Sequence, residues 1–116
     1  MIIKLKEGYK LTNTRDKKKI QDLRNIGKNI SINEKISMKY VKYDTFEMKI
    51  NFYIVVKKKI CKLAVRRNKI KRMMRENLIK NVKLFHPKND FAMIFHVNGD
   101  INDLKNLFTL NFNDLK

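Results

Sequence analysis

The spacing of hydrophobic residues changes several times along the chain, and each change predicts an element. Near the N-terminus apolar residues recur every third position, which predicts a short amphipathic helix. Its thin apolar stripe consists of Ile20, Leu23 and Ile26. Asn13 or Thr14 can cap the start of this helix, with Asp16 in its first turn. Gly27 suits the position after its end, and a short extended segment is expected at 29–32.

Alternation of apolar and polar residues then predicts two strands. The apolar face of the first strand carries Ile36, Met38 and Tyr40. The second strand has one fully apolar face, made of Met48, Ile50, Phe52, Ile54 and Val56. Asp44 and Thr45 lie between the two strands and favour a turn. Together these patterns predict an antiparallel hairpin.

A helical period follows from about residue 63 to residue 84, and His86 and Pro87 lie at its end. One side of this helix carries Ile70, Met73, Met74, Asn77 and Leu78. The short apolar run 91–95 predicts a buried strand, and 98–100 a turn. The last helix is marked by Leu104, Leu107 and Phe108. The order α-β-β-(β)-α-β-α predicts an α+β fold, a single-domain α/β sandwich with helices against a small mixed sheet.

Charge narrows the class of partner. The chain has 28 Lys and Arg residues against 11 Asp and Glu residues, so its formal net charge is +17. Such an excess opposes compact folding through self-repulsion, and a polyanionic partner relieves that repulsion. Nucleic acid is the commonest polyanion that proteins bind. An acidic membrane surface is the competing interpretation.

Other features of the composition exclude several classes of protein. The single cysteine, Cys61, excludes a disulfide framework and a zinc site built from cysteines. Charged residues interrupt the first apolar positions, so no signal-peptide core is expected. No apolar stretch approaches the length of a membrane span. The sequence therefore predicts a cytoplasmic protein in which residues 1–116 form one domain.

Basic residues dominate the start of the long helix, where no acid interrupts the sequence between Lys57 and Arg75. On a helix, one ridge is formed by Arg67, Lys71 and Arg75. A neighbouring ridge is formed by Asn68 and Arg72. Like charges at this spacing repel each other unless phosphates neutralise them, and arginine grips phosphate in two-point geometry. The opposite face has no Trp or Phe to anchor it in a membrane. Nucleic-acid binding is therefore favoured.

The same stretch carries a recognisable motif. Residues 64–76 read Ala-Val-Arg-Arg-Asn-Lys-Ile-Lys-Arg-Met-Met-Arg-Glu, which closely resembles the signature of the bacterial ribonuclease P protein, A-V-x-R-N-R-I-K-R-x-x-R-E/Q. The strand end V-S-K-K of that family reads here Val56, Lys57, Lys58 and Lys59. Lys69 replaces an arginine, and the linker 60–63 is one residue longer and lacks glycine. The phenylalanines usual in the first helix fall on Lys17 and Gln21, or on Ile20 and Arg24, depending on register.

The resemblance implies that a large RNA with bound Mg²⁺ carries out catalysis. The protein would be an accessory subunit of this endoribonuclease, without an active site, metal or cofactor of its own. The reaction removes the 5′ leader of precursor tRNA and gives the mature 5′ end. The implied partners are ribonuclease P RNA and precursor tRNA, with no membrane and no obligate protein partner. A left-handed crossover through the long helix is also implied, against the usual right-handed rule.

Two sets of residues take their roles from the resemblance. The RNA-binding set is Lys58, Lys59, Arg66, Arg67, Asn68, Lys69, Lys71, Arg72 and Arg75. The leader-binding cleft is expected between the first helix and the sheet, with Lys17, Ile20, Tyr40 and Tyr53. Tyr40 is the favoured residue for stacking on a leader base, and Tyr43 or Tyr53 are the alternatives.

No nuclease site built from protein side chains is visible in the sequence. His86 and His96 lie in unrelated contexts, Asp100 and Asp103 suit the start of a helix, and Cys61 lacks a partner base. The alternative function is a ribosomal or other structural RNA-binding protein of similar fold, which would share the charge but not the signature spacing. A DNA-binding or membrane-surface protein is a second alternative. A preference for duplex DNA over folded RNA, or binding to anionic vesicles, would favour it.

Overall fold

Two α-helices, together with the strands that precede and follow each of them, make up most of the described part of the chain. The computed structural model describes residues 1–59, 61–100, 102, 104 and 107–116. The elements are β1 (Ile2–Lys4), β2 (Lys10–Asn13), α1 (Lys17–Ile26), β3 (Lys28–Ser31), β4 (Ile36–Lys42), β5 (Lys49–Val56), α2 (Ala64–Phe85) and β6 (Phe91–Val97). A 3-10 helix follows at Phe112–Asp114. The long helix and the strand after it therefore lie where the sequence predicts them.

The six strands form one mixed sheet in the order β1-β2-β5-β6-β4-β3. β5 is parallel to both β2 and β6, and the other pairs are antiparallel. Helix α2 packs on one face, where Ile70, Met74 and Leu78 join the apolar face of β5 in the core. Helix α1 packs over β4 and β6, where Leu23 and Ile94 are buried. The predicted α+β fold is confirmed.

The predicted hairpin of β4 and β5 is wrong, because β6 lies between these two strands. The segment 43–48 therefore crosses over the start of β6 instead of forming a tight turn. Asp90 holds this segment in place. Its buried carboxylate accepts hydrogen bonds from Thr45 Oγ1 at 2.6 Å, Glu47 N at 3.0 Å and Lys49 N at 2.9 Å.

The N-terminal part of the chain adds two strands, β1 and β2, that the hydrophobic pattern does not predict. Because β2 pairs with β5 as far as Asn13, helix α1 starts later than expected. Its N-cap is Asp16, and neither Asn13 nor Thr14 has that role. The Asp16 carboxylate accepts hydrogen bonds from the backbone amides of Lys18 at 3.0 Å and Lys19 at 3.5 Å.

Gly27 follows α1, as predicted, and leads directly into β3. Its amide donates to Leu23 O at 2.8 Å, and a Cβ at this position would lie 2.5 Å from the same oxygen. Glycine is therefore needed because the backbone approaches the last turn too closely for a side chain. The extended segment expected at 29–32 is confirmed as β3, one residue earlier.

The predicted last helix falls partly outside the described residues, which do not include Ile60, Ile101, Asp103, Lys105 and Asn106. Leu104, Leu107 and Phe108 belong to no regular element. Two side chains of α2 fix this segment instead. Asn77 Nδ2 donates to Phe108 O at 2.9 Å, and Asn81 Oδ1 accepts from Leu110 N at 2.8 Å. The end of the chain is thereby packed against α2.

Helix α2 connects β5 and β6, which are parallel neighbours in the sheet. This is the strand–helix–strand unit that the family resemblance implies, and its left-handed crossover stays a prediction. The helix ends at His86, which has a left-handed backbone (φ 48°) and donates its amide to Val82 O. Within the part of the chain that the structure describes, no helix has the length and apolar character to span a membrane.

Candidate nucleic-acid interface

A groove of about 310 Å³ lies between α1 and the sheet. The sheet lines it with Val41, Asn51, Tyr53 and Ala92, and the helix with Lys19, Ile20, Leu23 and Ile26. Because successive residues of a strand point to opposite faces, these strand residues alternate with those that α2 buries. Tyr43 also lines the groove. The first groove is thus largely apolar and aromatic, and its charged lining residues are Lys19 and Asp22.

A second groove, of about 520 Å³, runs between the start of α1 and the basic part of α2. Its lining residues are Asn13, Arg15, Lys17, Ile20, Tyr53, Ile54, Asn68, Lys71 and Arg75. Ile20 and Tyr53 line both grooves, so the two grooves adjoin at these side chains. The surface therefore passes from an apolar, aromatic channel into one bounded by four cations.

The RNA-binding set expected from the resemblance divides into groups with different surroundings. Asn68, Lys71 and Arg75 line the second groove, while Lys58, Lys59, Lys69 and Arg72 are exposed. Arg66 and Arg67 contact the protein itself. Arg66 Nη1 lies 2.7 Å from Asp100 Oδ2. Arg67 Nη1 donates to Cys61 O at 3.0 Å and to Lys62 O at 2.8 Å.

Of the two tyrosines expected in the cleft, Tyr53 lines both grooves, whereas Tyr40 is placed differently. Tyr40 lies on the core face of β4 with 4% of its surface exposed, and its hydroxyl donates to Lys116 O at 3.1 Å. It does not line either groove, so its side chain is not available to stack on a base there. Tyr53 and Tyr43, the alternatives, do line the first groove. Of the other residues expected in the cleft, Ile20 lies in both grooves and Lys17 in the second.

The start of α1 adds Arg15, Lys18 and Lys19 to the expected Lys17, and the sequence analysis did not include these three cations. Arg15 lines the second groove, and Lys17, Lys18 and Lys19 occupy the first turn of the helix without any acid among them. Positive charge is unfavourable at a helix N-terminus because the helix dipole is positive there. Arg15 and the three lysines 17–19 were the available signal, but their position beside α2 depends on the pairing of β2 with β5. An anionic partner would offset this local repulsion.

The pKa values of two titratable side chains, His96 and Cys61, are shifted in directions that do not favour catalysis. Burial lowers the pKa of His96, and the positive charges of Arg24, Lys57 and Lys39 lower it further, so this half-buried side chain is neutral at pH 7. Burial raises the pKa of the Cys61 thiol, and Asp100 beside it raises the pKa further. A buried, protonated thiol is a poor nucleophile. Among the described residues, no three His, Cys, Asp or Glu side chains gather as a metal site.

Comparisons with known proteins agree with this geometry. The Ribonuclease P family model matches residues 7–112, while a search of curated proteins found no match. The chain is similar to the RNase P protein of Thermotoga maritima, with 27% identity and a TM-score of 0.60 over 79% of this chain and 76% of that chain. It shares its fold with a Staphylococcus aureus RNase P protein mutant with defective mRNA degradation activity, at 23% identity and a TM-score of 0.57 over 86% and 77% of the two chains. Since the family model covers nearly the whole sequence, the chain belongs to the ribonuclease P protein family.

Proposed function

We propose that this protein binds the catalytic RNA of ribonuclease P along α2 and the single-stranded 5′ leader of precursor tRNA in the groove beneath α1. Family membership makes the chain a component of an endoribonuclease that acts in tRNA processing, with ribonuclease P RNA as its partner. The observation that carries the finer proposal is that the two grooves adjoin at Ile20 and Tyr53. One strand of RNA can follow both.

The first groove has the chemistry that a single strand requires. Single-stranded nucleic acid is held by aromatic side chains on which bases stack and by cations that follow the backbone. Tyr53 and Tyr43 supply aromatic rings, and Ile20 and Val41 supply apolar surface. Lys19 and Lys17 lie where a backbone would leave the groove. A base on the floor and phosphates at the edge therefore fit this surface.

The exposed side of α2 suits folded RNA rather than a single strand. Lys69 and Arg72 are exposed there, and Lys58 and Lys59 are exposed in the segment between β5 and α2. Cations that neutralise phosphates also release condensed counterions, which favours binding at moderate salt. Lys71 and Arg75 lie between this surface and the second groove. They can screen the repulsion between the catalytic RNA and the leader.

The chemistry itself is assigned to the RNA. We propose that Mg²⁺ is bound mainly by the partner RNA and activates water for hydrolysis of the leader phosphodiester. The side chains of this protein bind, orient and neutralise charge, and none is assigned a proton-transfer role. The cytoplasmic location expected from the sequence stays a prediction.

Reconstitution tests the proposal directly. Precursor tRNA is incubated with the cognate ribonuclease P RNA at low Mg²⁺, with and without the protein, and the cut is mapped. We expect strong stimulation by the protein, cleavage at the mature 5′ end, and no cleavage by the protein alone. A matched substrate with a single-nucleotide leader should be stimulated much less, because it cannot occupy the groove. If the protein gives no stimulation, a structural RNA-binding role becomes the better account.

A further inference from the structure

The loop between β5 and α2 carries four lysines, and several of its described residues are nevertheless held by hydrogen bonds. We name residues 57–63 the lysine loop, of which Ile60 lies outside the described residues. Its exposed cations are Lys57, Lys58, Lys59 and Lys62. The Cys61 side chain points inward with 2% of its surface exposed, and Cys61 N donates to Lys57 O at 3.0 Å. One buried residue thus anchors a segment whose charges repel each other.

Two arginines of α2 complete this anchor from outside the loop. Arg67 Nη1 donates to both Cys61 O and Lys62 O, so one guanidinium binds two successive carbonyls of the loop. Arg66 pairs with Asp100, and Asp100 Oδ1 accepts a hydrogen bond from Cys61 Sγ at 3.6 Å. The network therefore joins the lysine loop, the first turn of α2 and the turn after β6.

The chemistry of this network sets Arg67 apart from the other cations of the helix. A guanidinium offers donors in a fixed planar fork, and here one nitrogen of the fork, Nη1, donates to two backbone carbonyls. Charge-assisted hydrogen bonds of this kind are stronger than neutral ones. Lys58 and Lys59, by contrast, are exposed on the loop that Arg67 fixes.

We propose that Arg67, supported by the Arg66–Asp100 pair, is a positioning residue that fixes the lysine loop so that Lys58 and Lys59 bind phosphates of the partner RNA. This inference rests on the proposed function, because it concerns how the same RNA is held. It differs from the role that the family signature implies for Arg67, namely direct RNA contact. Arg67 acts on RNA affinity through the loop.

The test combines a thiol probe with a mutant cycle. Cys61 is the single cysteine of the chain, so its rate of reaction with a thiol reagent reports opening of the loop. The variants are Arg67→Met, Arg72→Met and the double variant Lys58→Ala/Lys59→Ala, singly and combined. Affinity for ribonuclease P RNA is measured for each, and circular dichroism confirms the fold. Arg72→Met is the matched comparison, since Arg72 is an exposed arginine of the same helix.

The expected results separate positioning from direct contact. Arg67→Met should speed labelling of Cys61 by about tenfold or more, because the loop loses charge-assisted hydrogen bonds. It should weaken RNA binding by about tenfold in the natural background, but by less than about twofold once both lysines are absent. Arg72→Met should leave the labelling rate unchanged and weaken RNA binding equally in both backgrounds.

Three outcomes would overturn the inference. If Arg67→Met leaves Cys61 labelling unchanged, or weakens RNA binding equally in both backgrounds, Arg67 contacts RNA directly. If the lysine variant binds RNA normally, the loop is not a phosphate ligand, although the proposed function stands. If the unmodified protein fails to bind the RNA, the proposed function itself falls. Should Arg67→Met not fold, Arg67→Lys replaces it: faster labelling at unchanged charge supports positioning, and unchanged labelling refutes it.

Discussion

At the scale of single residues, Tyr53 connects the two grooves. It is half-buried in β5, and it lies beside Ile20 of α1 where the apolar groove passes into the cationic one. An aromatic ring at such a junction can stack on a base whose phosphate reaches the cations of α2. Tyr53 is therefore the residue on which leader binding is expected to depend most.

Replacing Tyr53 with alanine should weaken binding of leader-bearing precursor tRNA to the protein–RNA complex by about 1–3 kcal/mol, the usual contribution of one base–aromatic stack. Affinity for mature tRNA, which has no leader, should not change. Equilibrium binding of both tRNAs measures the difference. Tyr53→Phe keeps the ring and serves as the control, with affinity close to that of the unmodified protein. An equal loss for both tRNAs would show that Tyr53 does not act on the leader.

The choice between Tyr40 and Tyr53 shows what the sequence could provide at this scale. Tyr40 lies on the same face of its strand as Ile36 and Met38, because the three residues are spaced two apart. That apolar face already indicates the core. Tyr53 alternates with the apolar face of β5 and so points away from α2. The hydrophobic pattern therefore predicted which face of the sheet each ring occupies. It did not predict the position of α1, which decides whether the outer face of the sheet forms a groove.

At the scale of elements, the hydrophobic pattern predicted most elements but not the order of strands in the sheet. β4 and β5 each have one apolar face, and nothing local in either strand shows that β6 separates them. The decisive contact is made by Asp90, far along the chain from the segment 43–48 that it holds. Likewise, β2 is short and polar at its ends, and it is a strand because β5 offers an edge beside it. Long-range pairing overrides local signals in both cases.

Asp90 also gives the sheet a pH dependence. Burial alone would raise the pKa of Asp90, but hydrogen bonds from Thr45 and from the amides of Lys49 and Glu47 outweigh it and hold the pKa below its usual value. A group with a depressed folded-state pKa stabilises the fold above its unfolded pKa of about 3.9. That stabilisation is lost as pH falls through the folded pKa, when the carboxylate takes up a proton.

Asp90→Asn should therefore lower the free energy of unfolding at pH 7 by about 2–3 kcal/mol, because three donors lose a charged acceptor. As pH falls below the unfolded pKa of about 3.9 and then through the lower folded pKa of Asp90, the carboxylate becomes protonated and the difference between the two proteins should shrink. Urea unfolding across this pH range measures both values. Glu47→Gln, an exposed neighbour, is the control and should have little effect at either pH. A loss of the same size throughout the range would rule out the charge of Asp90 as its cause.

At the scale of the whole molecule, the excess of positive charge is poorly compensated within the protein. Among the described residues two ion pairs are formed, Lys49–Glu47 and Arg66–Asp100, against a net charge of +17. The radius of gyration is 13.6 Å, which is comparable with the Debye length of about 10 Å at 0.1 M salt. Repulsion between neighbouring cations is therefore only partly screened in the free protein, and the partner RNA completes the neutralisation.

Salt should consequently act in opposite directions on folding and on RNA binding. Raising NaCl from about 0.05 M to about 0.5 M shortens the Debye length and so weakens repulsion between the cations. The melting temperature of the free protein should therefore rise by about 3–8 °C, which corresponds to roughly 1 kcal/mol of stability for a domain of this size. Over the same range, affinity for ribonuclease P RNA should fall by more than about tenfold, because counterion release becomes less favourable. Thermal melts and binding titrations in the same buffers compare the two. KCl in place of NaCl should reproduce both trends if screening is the cause. A melting temperature that stays flat or falls with salt would mean that the positive charges do not destabilise the free fold, and that the lysines of α1 and of the loop before α2 are spaced widely enough to be tolerated without RNA.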